Sequence, residues 1–280
     1  MAELYRRSSQ YRKWSFTSEQ LSSIEAQVNH HAVGSGHDLA LNGEEERQMV
    51  LFFASDRIRG FCEYFNLPSH VRATAVAYFR RFYLTNSVME YDPKLVLPTC
   101  VFLAAKSENF FIPINHFAEA LADTDPQQIL DLEFVLFKSL EFTLVVHNAL
   151  RPLQGFFLDM QSLGDFDPTM LGQMHDQAKQ MVVQAFANDA IFLYTPSHIA
   201  LAALMEANEF VVTQYMATSM DGPNKSLDDL LGIVERCRAQ IRLGTQVTMG
   251  KDELKAVSKR LKQYYSRKEE GPQRKRVKQS

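Results

Sequence analysis

PTCVFLAAK, residues 98–106, decides the fold because it recurs as PSHIALAAL at residues 196–204. Both copies contain proline, two variable positions, a β-branched residue, one variable position and then Leu-Ala-Ala. The same offset of 98 residues aligns Asp131-Leu132-Glu133 with Asp229-Leu230-Leu231. One shift that aligns two separate segments predicts an internal repeat. A period of about 100 residues is too long for a solenoid array and is typical of two small domains in tandem.

The apolar periodicity is helical almost throughout the chain. In the first copy, stripes at spacings of three and four predict helices around 51–65, 71–82 and 129–140, with a short helix near 115–121. Between Leu95 and Ala105 nearly every residue is apolar, so this helix must be surrounded by others. The second copy predicts the same series, at about 151–163, 170–192, 196–204 and from Ser226 onwards. The predicted fold class is therefore all-α, with two tandem five-helix repeats.

Further helices flank the repeats. Thr17 and Gln20 form a predicted capping box before an apolar stripe, and Leu254, Val257 and Leu261 share one face of a helix near the C-terminus. The predicted boundaries are 1–43 for an N-terminal segment with a helix and linker, 44–146 and 147–245 for the repeats, 246–266 for the C-terminal helix, and 267–280 for a disordered basic tail.

Composition excludes several classes of protein. The net charge of −3 gives no global attraction to a polyanion, and no apolar run is long enough for a membrane span. The three cysteines are far apart, which predicts reduced core residues. His37-Asp38 and His175-Asp176 suggest metal-dependent phosphohydrolases, but neither lies in a matching cluster of ligands. We therefore expect no metal, no cofactor and no catalytic residue.

Lys106 and Glu133 form the most informative pair, since both align with leucines in the second copy, Leu204 and Leu231. Glu133 falls within an apolar helix face, where an unpaired carboxylate is costly, so it needs a partner such as Lys106. Two interpretations remain open from the residues alone. The pair is either an internal structural ion pair or a site that hydrogen-bonds the backbone of a partner protein.

Two basic clusters have simpler interpretations. Arg274, Lys275, Arg276 and Lys278 follow Gly271-Pro272 at the C-terminus, where they indicate either solvated charge or a nuclear-import signal. Arg80 and Arg81 could bind an anion, although a solvated helix face is the expected structure for them.

Several segments together resemble the cyclin family, and within it the cyclin H branch more than the cyclin C branch. They are YFRRFYLTNSVMEYDP from Tyr78, TCVFLAAK from Thr99, VVHNALRP from Val145, LYTPSHIAL from Leu193 and SSQYRKWSF from Ser8. The resemblance implies two cyclin boxes and a nuclear, non-catalytic subunit. The family's kinase-binding Lys and Glu correspond to Lys106 and Glu133, to which we add Phe102, Glu108 and Leu136.

The resemblance also implies partners: the cyclin-dependent kinase of the CDK-activating kinase complex, a RING-finger assembly subunit and the TFIIH core. Neither direct nucleic-acid binding nor membrane binding is expected. Ser107-Glu108-Asn109 retains one of the two acidic residues usual in the family, which leaves the contacts of that loop open. The alternatives are a nucleic-acid-binding, TFIIB-like cyclin fold, a cyclin C-type mediator cyclin, and a scaffold without a kinase.

Overall fold

The computed structural model describes residues 2–33, 38–119, 125–219, 227–244 and 247–273. All regular structure in these ranges is helical, which confirms the predicted class.

The N-terminal segment contains α1 Ala2–Arg6, α2 Ser9–Lys13 and α3 Ser18–Val33. The first repeat contains α4 Gly43–Phe52, α5 Ile58–Tyr64, α6 Ser69–Phe82, α7 Pro93–Ser107, α8 Ile114–Glu119 and α9 Pro126–Ser139. The second contains α10 Leu150–Leu163, α11 Pro168–Ala185, α12 Ala190–Leu193, α13 Pro196–Ala207, α14 Glu209–Ser219 and α15 Leu227–Gly244, and α16 is Lys251–Gln273.

Helix α7 is the central helix of the first repeat. Asp92 caps its first turn by accepting a hydrogen bond from the Lys94 N–H, and every residue from Val96 to Ala105 is buried. It packs against α6 and α9. Pro98 lies inside the helix, one turn after its start, so Pro93 rather than Pro98 marks the first residue.

Helix α13 has the same place in the second repeat, where it packs against α11 and α15. The hydroxyl of Thr195 caps it by accepting a hydrogen bond from the His198 N–H, and its buried residues run from Ile199 to Met205. The helix that we predicted to extend as far as Phe192 ends at Ala185. A turn then leads into α12 and places Asn188 and Asp189 between the repeats.

The first helix of the first repeat is interrupted by a π-helical turn, Phe53–Arg57, between α4 and α5. The sequence stripe predicts one regular helix over this span, and the structure differs because the wider turn accommodates an extra residue. As a result, the neighbouring Phe53 and Ala54 are both buried.

The expectation that Arg80 and Arg81 lie on a solvated face is wrong. Their exposed fractions are 2% and 3%. Arg80 is paired with Asp189, at 2.5 Å between Nη2 and Oδ1, and Arg81 donates to the Gln10 side chain at 3.1 Å. The polar side of α6 faces the junction with the second repeat and the N-terminal segment, and a local helical pattern cannot reveal those distant elements.

Both termini pack on the repeats. The Thr17–Gln20 capping box forms as predicted, with backbone-to-side-chain hydrogen bonds of 2.9 and 3.3 Å. Helix α16 continues to Gln273, so residues 267–273 are helical rather than disordered as we expected. Arg267 and Lys268 are exposed and favour helix, so they extend it without needing a core. The remaining tail, including Arg274, Lys275, Arg276 and Lys278, lies outside the described residues.

Candidate functional site

Lys106 and Glu133 form an ion pair between the last turn of α7 and the middle of α9, through Lys106 Nζ and Glu133 Oε1. The Lys106 side chain is 38% exposed, whereas Glu133 is 15% exposed. The ammonium group also lies 5.0 Å from the ring centroid of Phe102. Glu133 and Phe102 therefore hold the lysine at the surface, where its remaining N–H groups are available to an acceptor on another molecule.

The other three predicted site residues have different positions. Phe102 and Leu136 are 6% and 1% exposed, so they support the pair from the core and are not themselves open to a partner. Their assignment to the kinase-binding site stays a prediction, and their burial favours a supporting role in it. Glu108, just after α7, is partly buried and accepts a hydrogen bond from the Thr74 hydroxyl at 2.6 Å. Its carboxylate is thus partly committed within the first repeat.

Exposed aromatic side chains accompany the ion pair. Phe134 follows Glu133 in α9 and is 70% exposed, and Leu130, one turn before Phe134, is also exposed. Phe110 and Phe111, in the loop that follows α7, are exposed as well. Sequence reasoning missed these residues because it searched for charges that break an apolar face. These residues could have been found by the opposite search, for large apolar residues at positions where a helix faces solvent.

The loop after Lys106 is ordered by contacts inside the repeat. The Tyr78 hydroxyl is 3.0 Å from the Ser107 Oγ and donates to the Leu144 carbonyl at 2.7 Å. Asn109 has a positive φ of 59°, which turns the chain after α7. Ser107 and Asn109 therefore each have a structural role in this loop. The resemblance leads us to expect other residues at these two positions.

The second repeat has an ion-pair cluster of its own, which the sequence comparison did not detect. Leu204, aligned with Lys106, is buried at 1% exposure. Two residues later, at the end of α13, Glu206 pairs with Arg238 of α15 at 2.5 Å. Arg238 also contacts Glu209 and Glu235. In both repeats an ion pair joins the end of the central helix to the last helix, but the signs of the charges are reversed.

The alternative sites have little structural support. In the part of the chain that the structure describes, no group of three potential metal ligands converges, and no helix is long and apolar enough to cross a membrane. His175 Nδ1 and Asp176 Oδ1 are 3.7 Å apart at the surface. His37 lies outside the described residues.

Two family models match the chain. The cyclin N-terminal domain matches residues 16–145, and the cyclin C-terminal domain matches residues 148–242. These matches cover both repeats and the third helix of the N-terminal segment. The class that the fold and the ion pair define is a two-repeat cyclin, and members of the cyclin family are regulatory rather than catalytic subunits.

Individual relatives define the branch. Cyclin CCL1 of Saccharomyces cerevisiae is 37% identical over 255 residues, which cover 82% of this chain and 64% of that protein. Cyclin-H of Xenopus laevis is 33% identical over 222 residues, which cover 72% of this chain and 68% of that protein. The chain belongs to the cyclin-H family, and the resemblance is thereby confirmed. It spans slightly less than two thirds of the length of Cyclin CCL1.

Solved structures agree with this assignment. A chain in the CAK complex of Chaetomium thermophilum bound to ATP-γ-S matches with a TM-score of 0.86 and 28% identity, covering 94% of this chain and 89% of that one. A chain in the yeast TFIIK complex, Kin28/Ccl1/Tfb3, matches with a TM-score of 0.75 and 39% identity, covering 85% of this chain and all of that one.

Proposed function

We propose that this chain is a non-catalytic subunit that binds and activates a cyclin-dependent kinase, forming a CDK-activating kinase. That kinase phosphorylates CDK activation loops and, within TFIIH, the C-terminal domain of RNA polymerase II. Membership of the cyclin-H family supports the proposal, as do the two solved relatives, which come from assemblies named CAK and TFIIK.

The surface position of the Lys106–Glu133 pair carries the proposal. A purely internal ion pair gains nothing from an ammonium group that is 38% exposed. Exposed aromatic residues also lie close to the pair in sequence, Phe134 after Glu133 and Phe110 and Phe111 after Lys106. A protein kinase is active when a strand lysine pairs with a glutamate on its mobile helix. A partner that binds only the inward position of that helix shifts the population toward activity. Lys106 can supply hydrogen bonds, and Phe134 and Phe111 can supply apolar contact.

The proposed assembly contains further members. A RING-finger subunit and the TFIIH core are the expected partners, by analogy with the three-component assembly in which Ccl1 is found. The chain acts in the nucleus, with Arg274, Lys275, Arg276 and Lys278 as the import signal. It binds neither nucleic acid directly nor a membrane, in keeping with its net charge of −3.

The test compares kinase activity on a polymerase-tail peptide with the chain absent, unmodified, or carrying Lys106→Ala plus Glu133→Ala. We expect strong stimulation by the unmodified chain and a loss of at least about tenfold in the double variant, since charge-assisted hydrogen bonds at an interface contribute about 1.5–3 kcal/mol each. The matched control is Glu206→Ala plus Arg238→Ala, which removes the corresponding ion pair of the second repeat and should leave stimulation unchanged.

Circular dichroism and thermal unfolding must show that both double variants are folded. Equal stimulation by the unmodified chain and the Lys106/Glu133 variant would contradict the site. Absence of any stimulation would contradict the function, and salt-dependent binding to duplex DNA would then favour a TFIIB-like role.

A further inference from the structure

The C-terminal region that begins with α16 is basic, whereas the rest of the chain is acidic. Residues 251–280 contain eleven lysines and arginines against four aspartates and glutamates, a net charge of +7. The other 250 residues have a net charge of −10. The overall value of −3 hides this asymmetry because the two parts largely cancel. Such an asymmetry within one chain indicates an anionic partner for the basic part.

One side of α16 is fixed to the first repeat. Leu254, Val257 and Leu261 are buried, and Arg260, between them and the surface, pairs with Glu45 at the start of α4. The helix is therefore held in one orientation, and the residues on its opposite side point to solvent in a fixed arrangement.

That opposite side has a row of three lysines, Lys255, Lys259 and Lys262, which we call the lysine row. All three are exposed, and their spacings of four and three place them on one face within about 11 Å of helix. Lys255 is 3.3 Å from the exposed Asp252, and no carboxylate among the described residues pairs with Lys259 or Lys262. Like charges at these spacings destabilise a helix. An anion bound across the row would remove that repulsion.

The surroundings of the lysine row favour a phosphorylated protein segment over a nucleic acid. Sites for single-stranded nucleic acid combine cations with exposed aromatic rings, on which the bases stack. Among the described side chains of α16, Tyr264 and Tyr265 are half-buried and none of the exposed ones is aromatic. The acidic remainder of the chain repels a long duplex. A phosphorylated segment, by contrast, concentrates a charge of about −1.5 to −2 on each modified residue.

We propose that the lysine row binds protein segments that contain several phosphate groups, namely the polymerase tail once the kinase has phosphorylated it. This proposal rests on the proposed function, which supplies the phosphates. The Tyr265 hydroxyl of α16 donates to the Val88 carbonyl, just before α7 begins, whereas Lys106 lies at the other end of that helix. A helix of 15 residues is about 22 Å long, so only a long substrate reaches both regions. Retention of the product would then allow further sites on the same tail to be phosphorylated before it dissociates.

The first measurement is binding of the full chain, without a kinase, to a fluorescent polymerase-tail peptide that contains several phosphoserines. Anisotropy should show binding that weakens steeply between about 50 and 200 mM salt, and no detectable binding of the unphosphorylated peptide. The triple variant Lys255→Gln, Lys259→Gln and Lys262→Gln should bind about tenfold more weakly at the lower salt. Its Tm should equal that of the unmodified chain, since all three side chains are exposed.

The matched control removes three exposed charges elsewhere, by Arg12→Gln, Arg151→Gln and Lys179→Gln. The net charge changes by the same amount, and binding should stay within about twofold of the unmodified chain. Equal binding by the lysine-row variant and the unmodified chain would overturn the proposal. An equal loss in both variants would also overturn it, because net charge alone would then explain binding. So would tighter binding of a single-stranded RNA with the same number of phosphates.

The second measurement uses the kinase complex with a short single-site peptide and with a long multi-site tail. The lysine-row variant should support the unmodified rate on the short peptide but add fewer phosphates to each long tail per encounter. Equal multi-site phosphorylation by both complexes would overturn the role in product retention. Failure of the proposed function is distinct, since it would appear as absence of stimulation on the short peptide, whereas the binding measurement contains no kinase.

Discussion

Asp189 lies between two arginines from distant parts of the chain, Arg80 of α6 and Arg47 of α4. Its Oδ2 is 2.6 Å from Arg47 Nη2, and Arg47 also contacts Glu25 of the N-terminal α3 at 3.1 Å. Burial alone would raise the pKa of Asp189, but the charges of Arg80 and Arg47 outweigh burial and lower it. One carboxylate therefore compensates two cations where the first repeat meets the second.

We predict that Asp189→Asn lowers the free energy of unfolding by about 3–5 kcal/mol at pH 7, because it leaves buried arginines uncompensated. Since the pKa of Asp189 is lower in the folded state, its contribution is fully present above the unfolded pKa of about 3.9 and is lost as the pH falls below that value. Urea titrations at pH 7, 5, 4 and 3 should show the difference from wild type shrinking below pH 4.

Asp252→Asn is the control, since Asp252 is 97% exposed and pairs only loosely with Lys255. It should change stability little at any of these pH values. A loss in Asp189→Asn that stays the same down to pH 3 would show that packing, rather than charge, explains the effect.

At the scale of elements, α9 has one side buried in the core and one side exposed, and we propose the exposed side as part of the kinase interface. Leu136 is buried and Phe134 is 70% exposed, although only one residue lies between them. We predict that Leu136→Ala lowers the free energy of unfolding by about 2–5 kcal/mol. Phe134→Ala should leave stability nearly unchanged but weaken association with the kinase by about 1–3 kcal/mol.

Thermal unfolding and titration calorimetry with the kinase distinguish the two effects. Leu158→Ala provides the control for Phe134→Ala, since Leu158 is 54% exposed on α10 of the second repeat. If Phe134→Ala and Leu158→Ala bound the kinase equally well, the exposed face of α9 would not be the interface.

The elements also show how far sequence reasoning extends. Helix α7 was predictable because its apolar run leaves no solvent-exposed side and because Asp92-Pro93 is typical of a helix start. The Lys106–Glu133 pair was predictable because two charges interrupt apolar positions. The burial of Arg80 and Arg81 was not predictable, because it depends on Asp189 and Gln10, about 110 and 70 residues away. The π-helical turn was not predictable from the sequence either, since it leaves the spacing of apolar residues nearly unchanged.

At the scale of the whole molecule, one buried apolar core runs through both repeats. The C-terminal helix, although it follows the second repeat in sequence, returns to the first repeat. Arg260 of α16 pairs with Glu45 of α4, and the Tyr265 hydroxyl donates to the Val88 carbonyl. At the other end, Trp14 donates to Thr143 between the repeats at 2.9 Å. The two repeats are thus joined at their core and by both terminal segments.

This connectivity predicts that the repeats unfold as one cooperative unit, although multi-domain chains often do not. Leu261→Ala removes a buried contact of α16, and Val212→Ala does so in α14 of the second repeat. Each variant should lower the same single Tm, with equal calorimetric and van't Hoff enthalpies by scanning calorimetry. Two independent repeats would instead give two transitions, each shifted by only one of the variants. Because the pair that we propose for kinase binding lies in the first repeat, a single transition would mean that damage anywhere in the second repeat lowers the population able to bind the kinase.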